Sequence, residues 1–433
     1  MANNKVEVIV VGAGCAGVSA AITLARNGKR VLLVERGDFS GSKNVFGGTI
    51  YAHQTAEIFP KFWETAPIER EIKEHKFFML SDENSFEASY KEDKNSEHNA
   101  FTVNRAKWDR WACEKAQKEG VLFAPKTLVT GLIRQNEQVV GIETEQEKYY
   151  ADIVILADGV NSLLAKSIGL RHDIKPEDVA LSVKEVIKLP EKVIEERFHL
   201  ENGFGTACRI FSGPLKNLFA LGFMYTNKDT VSIGFGASVK DLRKQDKKPY
   251  EILEELKNHP TIFPYIKDGE TIEYCAHMIP EGGIKAFPKL YSAGVMIVGD
   301  AGMFVNSMHF EGTNLAMLSG KLAGETAVEA IDKHDFSALQ LSNYERKIKQ
   351  SIIYKDLKTY STPMRLAQKN IDLLLTYAPY KICKFFEIFT SANGKPKRNK
   401  YRKYIKDIFR ERGIFGAFRA FWCLFRMGIG IIK

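Results

Sequence analysis

The sequence has few cysteines, and none of them lie close together. Six cysteines occupy positions 15, 113, 208, 275, 383 and 423 of a 433-residue chain, so it contains no CxxC pair. Zinc ribbons and iron–sulfur clusters need several thiolates that are close in the chain, and local sequence here supplies neither kind of site. We therefore predict no metal site.

Signals for export and for hydrolytic catalysis are also missing. The first residues, MANNKVEVIVVGAG, lack the basic and apolar regions of a secretory signal, so a reducing cytoplasm is the expected compartment. The chain contains no GxSxG or HExxH motif and no recognisable serine–histidine–acid set. The sequence thus gives no sign of hydrolytic chemistry.

Basic residues are concentrated near the C-terminus. The net charge is +9, and between residues 395 and 412 nine Lys/Arg face only Asp407 and Glu411, an excess of +7 in 18 residues. The rest of the chain is close to neutral, which argues against a nucleic-acid-binding protein. With 45% apolar and 27% charged residues, the composition is that of a globular protein of two or three domains.

A strand–turn–helix pattern opens the chain and predicts a dinucleotide site. Residues 6–11 form a β-branched apolar run typical of a buried parallel strand, residues 15–27 are helical in character, and residues 31–35 form a second buried strand. The turn between the first strand and the helix fits GxGxxG, with glycines at 12, 14 and 17. The first glycine allows a tight turn, the second lets the backbone approach a pyrophosphate, and the third lets the helix pack on the strand.

Two further features support a nucleotide at this turn. The helix N-terminus offers unpaired N–H groups to phosphate oxygens. Glu35 ends the second strand, where its carboxylate can accept hydrogen bonds from ribose hydroxyls. Because NAD and FAD are bound by the same motif, the glycines alone leave the choice between them open.

The remaining chain alternates between parallel-strand, antiparallel and helical patterns. Residues 104–119 predict a helix, and residues 151–157 predict a buried strand that ends at Asp158. Residues 178–236 have the alternation of an antiparallel sheet, whereas 81–99 predicts a hairpin or loop. Strand character returns at 291–298, followed by a helix near 313–331 and a mostly helical, charged region beyond 335.

Several segments carry a resemblance to known flavoproteins. ADGVNS (157–162) and VGDA (298–301) resemble the second and third flavin motifs of FAD-dependent hydroxylase-type proteins, and Arg105 resembles the arginine that approaches their flavin. Longer segments are similar to FixC, a family related to electron transfer flavoprotein–quinone oxidoreductase within the geranylgeranyl reductase-like flavoproteins. They are ERGDFSGSKNVFGGTIYAH (35–53), VNRAKWDRW (103–111), ILADGVNSLLAK (155–166), VKEVIKLP (183–190), EYCAHMIPEGG (273–283) and GTNLAMLSGKLAGE (312–325).

This resemblance implies an α/β fold. It consists of a Rossmann-type FAD-binding domain of the glutathione reductase/hydroxylase kind, an inserted antiparallel-sheet substrate domain and a helical C-terminal region. The expected FAD-binding domain is discontinuous and comprises 1–75, 100–172 and 273–332. The substrate or quinone domain comprises 76–99 and 173–272, and the helical region with its basic tail comprises 333–433.

The resemblance also implies the cofactor contacts. The expected FAD-binding residues are Gly12, Gly14, Ala16, Gly17, Glu35, Arg36, Asn44, Gly47, Gly48, Arg105, Val129, Asp158, Gly159, Gly299, Asp300, Gly312, Thr313 and Asn314. The last three would lie at a helix start under the pyrimidine side of the ring, where the helix dipole favours an anionic reduced flavin. Candidate proton donors flank these motifs, although histidines and glutamates chosen in this way are more often structural hydrogen-bond partners: His277, Glu281, His309 and Glu311.

The implied activity is electron transfer. Electrons would pass from an electron transfer flavoprotein, directly or through a small ferredoxin-like protein, to FAD and then to a quinone or other apolar substrate. Larger quinone oxidoreductases carry a four-cysteine cluster near the C-terminus, which this chain lacks. Three alternatives stay open: a geranylgeranyl-type reductase of prenyl double bonds, an FAD-dependent monooxygenase, and a non-catalytic scaffold subunit that retains FAD.

The C-terminal segment 414–433 predicts an amphipathic helix. Arg419 and Arg426 are seven residues apart and share one face, while aromatic residues such as Trp422 and Phe425 gather on another. With the basic stretch before it, 395–433 suits contact with an anionic membrane surface, which would make the protein peripheral on the inner face of the cytoplasmic membrane. The alternative is a helix packed on the protein itself or on a partner subunit.

Overall fold

The computed structural model describes residues 5–42, 48–201, 203–394 and 396–432. In these ranges the strands are β1 (Lys5–Val11), β2 (Val31–Val34), β3 (Thr49–Tyr51), β4 (Ile68–Leu80), β5 (Ser85–Lys91), β6 (Ala100–Val103), β7 (Leu122–Ala124), β8 (Val129–Gln135), β9 (Gln138–Thr144), β10 (Lys148–Leu156), β11 (Val179–Lys188), β12 (Phe204–Ser212), β13 (Ala220–Thr226), β14 (Thr230–Ser238), β15 (Glu270–Pro280), β16 (Tyr291–Ser292) and β17 (Val295–Ile297).

The helices in the same ranges are α1 (Cys15–Arg26), α2 (Ala52–Ile58), α3 (Arg105–Lys118), α4 (Leu163–Ser167), α5 (Glu191–Phe198), α6 (Val239–Leu242), α7 (Pro249–Lys257), α8 (Phe263–Ile266), α9 (Thr313–Asp332), α10 (Ala338–Gln350), α11 (Ile352–Lys369), α12 (Ala378–Thr390) and α13 (Lys397–Ile432). Short 3₁₀ turns occur at Phe62–Glu64, Gly213–Leu215, Gly283–Ala286 and Gly299–Gly302, and a π-helical segment at Asp372–Tyr377.

The chain divides into two compact units. Unit 1 comprises Met1–Glu71, Glu97–Ala180 and His277–Lys358. Unit 2 comprises Ile72–Ser96, Leu181–Ala276 and Thr359–Lys433. Each unit is therefore assembled from three separate stretches of sequence. The finer division into three domains stays a prediction.

Unit 1 is built on a parallel sheet with helices against it. Strands β17, β10, β1, β2 and β7 are parallel neighbours in that order, and β9 and β16 add antiparallel edges. The first strand is buried because apolar clusters cover both its faces: Val8 and Val10 lie in one, and Ile9 and Val11 in the other. Such all-apolar runs are typical of parallel strands with layers on both sides.

Helices α1 and α9 pack closely against each other in unit 1. A Cβ on Gly320 of α9 would lie 2.0 Å from the backbone oxygen of Ala16, and one on Gly324 would lie 2.9 Å from Cβ of Thr23. These distances require glycine at both positions, because a side chain there would force the helices apart. This close packing holds the N-termini of both helices in a fixed position relative to the carboxyl end of the sheet.

The predicted strand at 291–298 differs in detail from the structure. Two short antiparallel strands, β16 and β17, replace it, with Gly294 between them in a left-handed conformation (φ +71°). A Cβ on Gly294 would lie 2.0 Å from the backbone oxygen of Val139, so only glycine permits this approach. The apolar run thus contains a turn that the residue pattern did not indicate.

Unit 2 contains the predicted antiparallel sheet. Strands β15, β11, β14, β13, β12 and β4 are neighbours in that order, and β5 pairs with β4 as a hairpin partner. Its core joins Phe235, Met224 and Ile210 of the sheet to Leu253 and Leu256 of helix α7. The predicted fold class, a Rossmann-type FAD-binding fold with an antiparallel sheet and a helical C-terminal region, is confirmed.

The C-terminal helices of unit 2 combine a polar contact with an exposed aromatic surface. Glu411 of α13 accepts hydrogen bonds from the Tyr377 hydroxyl (3.0 Å) and the buried Lys381 ammonium (2.8 Å). Helix α13 has a kink at Gly413 (φ +66°, ψ +169°), and residues before the kink contact α12, since the Tyr404 hydroxyl also donates to the Lys381 oxygen at 3.0 Å. No helix within the described ranges is both long and apolar enough to cross a bilayer.

Candidate cofactor site

The three motif glycines differ in the space around them. Gly12 has φ +104°, and a Cβ there would lie 2.3 Å from the Ala157 oxygen. A Cβ on Gly17 would lie 1.9 Å from the Gly12 oxygen. A Cβ on Gly14, which precedes the first residue of α1, would meet nothing within 4 Å among the described residues. The first and third glycines are thus required by packing, whereas the second borders open space at a helix N-terminus.

Glu35 holds the glycine turn from the end of β2. Its Oε2 accepts the N–H of Ala13 (3.0 Å) and its Oε1 accepts the N–H of Gly37 (2.8 Å). Each carboxylate oxygen has a further lone pair, so these bonds leave acceptor capacity for hydroxyl groups of a nucleotide. The ribose contact itself stays a prediction.

A buried ion pair lies beside the turn. Arg105, the first residue of α3, donates from Nε and a terminal nitrogen to the two carboxylate oxygens of Asp109, both at 3.1 Å. The same guanidinium lies 3.3 Å from Sγ of Cys15. Asp109 raises the pKa of Arg105 against the effect of burial, while burial raises the pKa of Cys15 to about 12. Cys15 is therefore a protonated packing residue rather than a nucleophile.

Two acidic motifs meet at the carboxyl edge of the parallel sheet. Asp158 and Gly159 follow β10, and Gly299 and Asp300 follow β17, its parallel neighbour. Burial raises the pKa of Asp300 to about 6 and also raises that of Asp158, whose Oδ1 accepts the Ser162 hydroxyl at 2.9 Å. The predicted residues are thus brought to one edge, where open α/β sheets bind ligands.

The first turn of α9 has an unusual buried amide. Gly312 precedes the helix, and the Thr313 hydroxyl donates to the backbone oxygen of Thr49 (3.2 Å). Asn314 is 1% exposed, yet neither of its amide atoms forms a hydrogen bond of normal geometry within the described chain. The nearby Glu311 carboxyl group interacts with this side chain, and the hydrogen-bonding capacity that remains is available to a ligand at the helix start.

The other expected contacts are distributed around this edge. Ala16 lies in α1, and a Cβ on Gly299 would approach its methyl to 2.8 Å. Arg36 directly follows Glu35, Val129 begins β8, and Gly48 precedes β3. Asn44 and Gly47 fall outside the described residues.

The four candidate proton donors separate into distinct settings. Burial lowers the pKa of His277, as do Arg105 and Arg36, which places this imidazole near the cofactor residues. Glu281 is bound through its N–H to the Asp178 oxygen (2.8 Å), and burial raises its side-chain pKa to about 7.

The other two candidates lie together before α9. Glu311 pairs through its backbone with Asn306, and burial raises the pKa of its carboxyl group. The backbone oxygen of His309 accepts the Tyr51 hydroxyl at 3.2 Å. Proton-donor roles for all four residues stay predictions.

The sequence did not reveal Arg171. This buried residue follows α4, and its guanidinium donates to the backbone oxygen of Ala301 (3.2 Å) and to Sδ of Met303 (2.9 Å). It also acts electrostatically on Asp158 and Asp300. No motif includes it, because it approaches these residues only through the fold.

The residues fit FAD rather than a metal. The space at Gly14 suits a pyrophosphate at a helix N-terminus, and the unsatisfied amide of Asn314 suits a ligand with hydrogen-bonding groups. Within the described ranges no group of three or more His, Cys, Asp or Glu side chains is arranged to hold a metal ion.

Comparisons with known proteins agree with this geometry. The FAD dependent oxidoreductase family model matches residues 7–167. The chain is 40% identical over 425 residues to protein FixC of Azorhizobium caulinodans, which covers 96% of this chain and 98% of that protein. It is 36% identical over 423 residues to the probable electron transfer flavoprotein-quinone oxidoreductase YdiS of Escherichia coli, with 97% and 98% covered.

Solved structures share the fold at lower identity. A geranylgeranyl bacteriochlorophyll reductase-like protein from Thermoplasma acidophilum has a TM-score of 0.73 at 20% identity and covers 88% of this chain and 91% of its own. The flavin-dependent brominase Bmp2 has a TM-score of 0.66 at 17% identity, with 94% and 100% covered.

Proposed function

Because the chain belongs to the FixC family of FAD-dependent oxidoreductases, we propose that it accepts electrons from an electron transfer flavoprotein and delivers them to a quinone. The observation that carries this proposal is the 36% identity, over nearly the whole of both chains, to a probable electron transfer flavoprotein-quinone oxidoreductase. Bound FAD supplies the redox chemistry, since a flavin exchanges electrons singly or in pairs.

The protein's own residues hold the cofactor and set its surroundings. Gly14 leaves room for the pyrophosphate, and Glu35 and Asp300 offer acceptors to hydroxyl groups. The Arg105–Asp109 pair supplies a fixed, buried charge arrangement next to the glycine turn. The start of α9 presents N–H groups and the amide of Asn314, an arrangement that favours negative charge on the bound group.

Quinol formation also consumes protons, and Glu281 is the candidate with the best-matched acidity. A carboxyl group with a pKa of about 7 is partly protonated at neutral pH and can both give and recover a proton there. His277 is held neutral by burial and by two arginines, which suits a hydrogen-bond donor more than a proton source. Glu281 is therefore the proposed proton donor.

The spacing of the cysteines bears on which electron-transfer partners the protein needs. Its cysteines cannot form a cluster from local sequence, so any iron–sulfur centre in the electron path must belong to another protein. We infer a separate small ferredoxin-like partner, working beside the electron transfer flavoprotein.

Contact with the cytoplasmic face of a membrane completes the proposal. The aromatic–basic surface of unit 2 comprises Phe385, Phe386 and Phe389 of α12 together with residues 397–412 of α13. The three phenylalanines are 37–56% exposed, and Lys397, Arg402 and Lys406 are exposed nearby. Aromatic rings beside cations suit an anionic bilayer surface, which is also where quinones reside.

Purified protein tests the electron path directly. FAD-loaded protein, reduced by a dithionite-treated electron transfer flavoprotein, should be reoxidised by a soluble ubiquinone analogue, as followed by flavin absorbance. Glu281→Gln should slow quinol formation most at and below pH 7, where the wild-type carboxyl group is protonated, whereas exposed Glu137→Gln serves as the matched control. Reoxidation by a prenyl substrate instead of a quinone would favour the reductase alternative, and a flavin that is never reduced would favour the scaffold alternative.

A further inference from the structure

Arg171 holds the turn that carries the third flavin motif. The 3₁₀ turn Gly299–Gly302 ends at Met303, whose φ of +65° is rare for a side chain of this kind. Arg171 donates to the Ala301 oxygen at 3.2 Å and lies 2.9 Å from the Met303 sulfur. One guanidinium thus contacts both the turn before the strained residue and the side chain of that residue, which fixes the loop that follows β17.

The same buried guanidinium acts electrostatically on two half-buried acids. Asp158 and Asp300 come from neighbouring parallel strands, and both interact electrostatically with Arg171. The other nearby cation, Arg105, is already in a two-oxygen contact with Asp109. Removing Arg171 would therefore leave Asp158 without its compensating arginine and Asp300 with Arg105 alone, which is shared with Asp109.

We propose that Arg171 is a positioning residue for FAD, which fixes the Gly299–Met303 turn and so places the Asp300 carboxylate to accept hydrogen bonds from hydroxyl groups of the cofactor. An ionised carboxylate accepts several strong hydrogen bonds, whereas a protonated one spends an oxygen as a donor. This inference depends on FAD binding alone. It stands whether or not a quinone is the electron acceptor.

The groups that face Asp300 determine how FAD binding should depend on pH. They are Arg105, Arg171 and the Cys15 thiol. Cys15 stays protonated and Arg105 stays charged over the working range, so Asp300 is the group that titrates. Burial raises the pKa of Asp300 to about 6, and losing Arg171, whose charge lowers this pKa, should raise it further.

Equilibrium FAD binding to the apoprotein between pH 5.5 and 8.5 tests the proposal. Arg171→Met should weaken binding by about twofold at pH 7 and by nearly tenfold at pH 5.5, because these are the factors by which a rise of about one unit in the pKa of Asp300 lowers its ionised fraction. The deficit should shrink toward pH 8.5, where Asp300 ionises without help. Arg171→Lys keeps the charge and should recover most of the affinity, and Asp300→Asn should remove the pH dependence.

A matched control separates positioning from general packing. Arg26 also donates to a backbone oxygen, that of Ile58 at 2.7 Å, but lies at the far end of α1. Arg26→Met should leave the FAD affinity and its pH profile unchanged. Wild-type affinity and pH profile in Arg171→Met would overturn the proposal. If Arg171→Met fails to fold, equal pH profiles of FAD binding for Arg171→Lys and Asp300→Asn would overturn the proposal instead. Neither result changes what the quinone assay tests.

Discussion

The cofactor site of unit 1 and the aromatic–basic surface of unit 2 use charge in opposite ways. In the site the charged groups are few and buried: side chains of Arg105 and Asp109 are 6% and 1% exposed and are matched to each other. On the surface the charges are many and mostly exposed, and basic residues far outnumber Asp407 and Glu411. In the buried site each charged group matters individually, because a buried charge without a partner is costly. On the exposed surface the attraction to an anionic bilayer is the sum of many small contributions.

Glycine substitutions should test the site most severely. Gly17→Ala places a methyl group 1.9 Å from a backbone oxygen, so the protein should lose at least about 3 kcal/mol of stability or fail to fold. Gly14→Ala meets nothing within 4 Å and should cost about 1 kcal/mol or less, yet its methyl would occupy the space proposed for the pyrophosphate.

Two measurements distinguish these glycines. Urea unfolding of the apoproteins reports folding, and flavin fluorescence titration reports binding. We expect Gly14→Ala to fold like the wild type and bind FAD about a hundredfold more weakly, which corresponds to roughly 3 kcal/mol. Normal binding by this variant would contradict the assignment of the space at Gly14.

Breaking the buried ion pair should have the next largest effect. Arg105→Met leaves the Asp109 carboxylate buried without its guanidinium and should lower the free energy of unfolding by about 3–5 kcal/mol. The double variant Arg105→Met/Asp109→Leu should regain much of this loss, since neither charge is then left alone. On the exposed helix α12, Lys384→Met breaks the Lys384–Glu387 pair and should cost less than about 0.5 kcal/mol.

The difference between the two regions also explains what the sequence could predict. Gly12, Gly14 and Gly17 lie within six residues of the chain, and packing allows few alternatives to glycine at the first and third, so the sequence could predict the strand–turn–helix and a dinucleotide site there. The fold class followed from the same parallel-strand pattern and from the antiparallel alternation of 178–236. In both cases residues close together in the sequence determine the local backbone structure.

Features that depend on distant residues were not predictable in this way. Arg171 reaches Ala301 across 130 positions, and no local pattern marks an arginine for such a contact. The turn at Gly294 is required by Val139 of a different strand, so the run 291–298 resembled one continuous strand. The contact of Glu411 with Lys381 likewise joins two helices, which is why membrane contact and self-packing stayed open for the tail.

A single unpaired acid should make the stability of the site pH-dependent. The pKa of Glu281 rises from 4.5 in an ordinary setting to about 7 in the fold, so folding favours the protonated form. Its contribution is fully present below pH 4.5 and is lost as the pH rises through 7, by an amount on the order of 2 kcal/mol. Glu281→Gln should therefore be more stable than the wild type at pH 8 and similar to it at pH 4.5.

Urea unfolding of the apoprotein at several pH values between 4.5 and 8 measures this effect. The matched control is Glu137→Gln in the exposed turn between β8 and β9, whose profile should parallel that of the wild type. Parallel profiles for Glu281→Gln and the wild type would instead mean that the carboxyl group is solvated in the native state. In that case Glu281 would have the pKa of an ordinary carboxyl group, and the reason for proposing it as the proton donor would fail.

On the aromatic–basic surface, single substitutions should have the smallest effects. Phe389 is 56% exposed and its ring lies 5.7 Å from the Lys397 ammonium, so the pair would enter an anionic bilayer surface together. Phe389→Ser should weaken partitioning onto phosphatidylglycerol vesicles by about tenfold, or about 1.4 kcal/mol, as measured by sedimentation.

Leu339→Ser, at an 82% exposed position of α10 in unit 1, is the matched control and should change nothing. High salt should weaken binding of the wild type and of both variants, because cations contribute alongside the rings. If Phe389→Ser and Leu339→Ser partition equally, this surface is a site for a protein partner rather than for lipid.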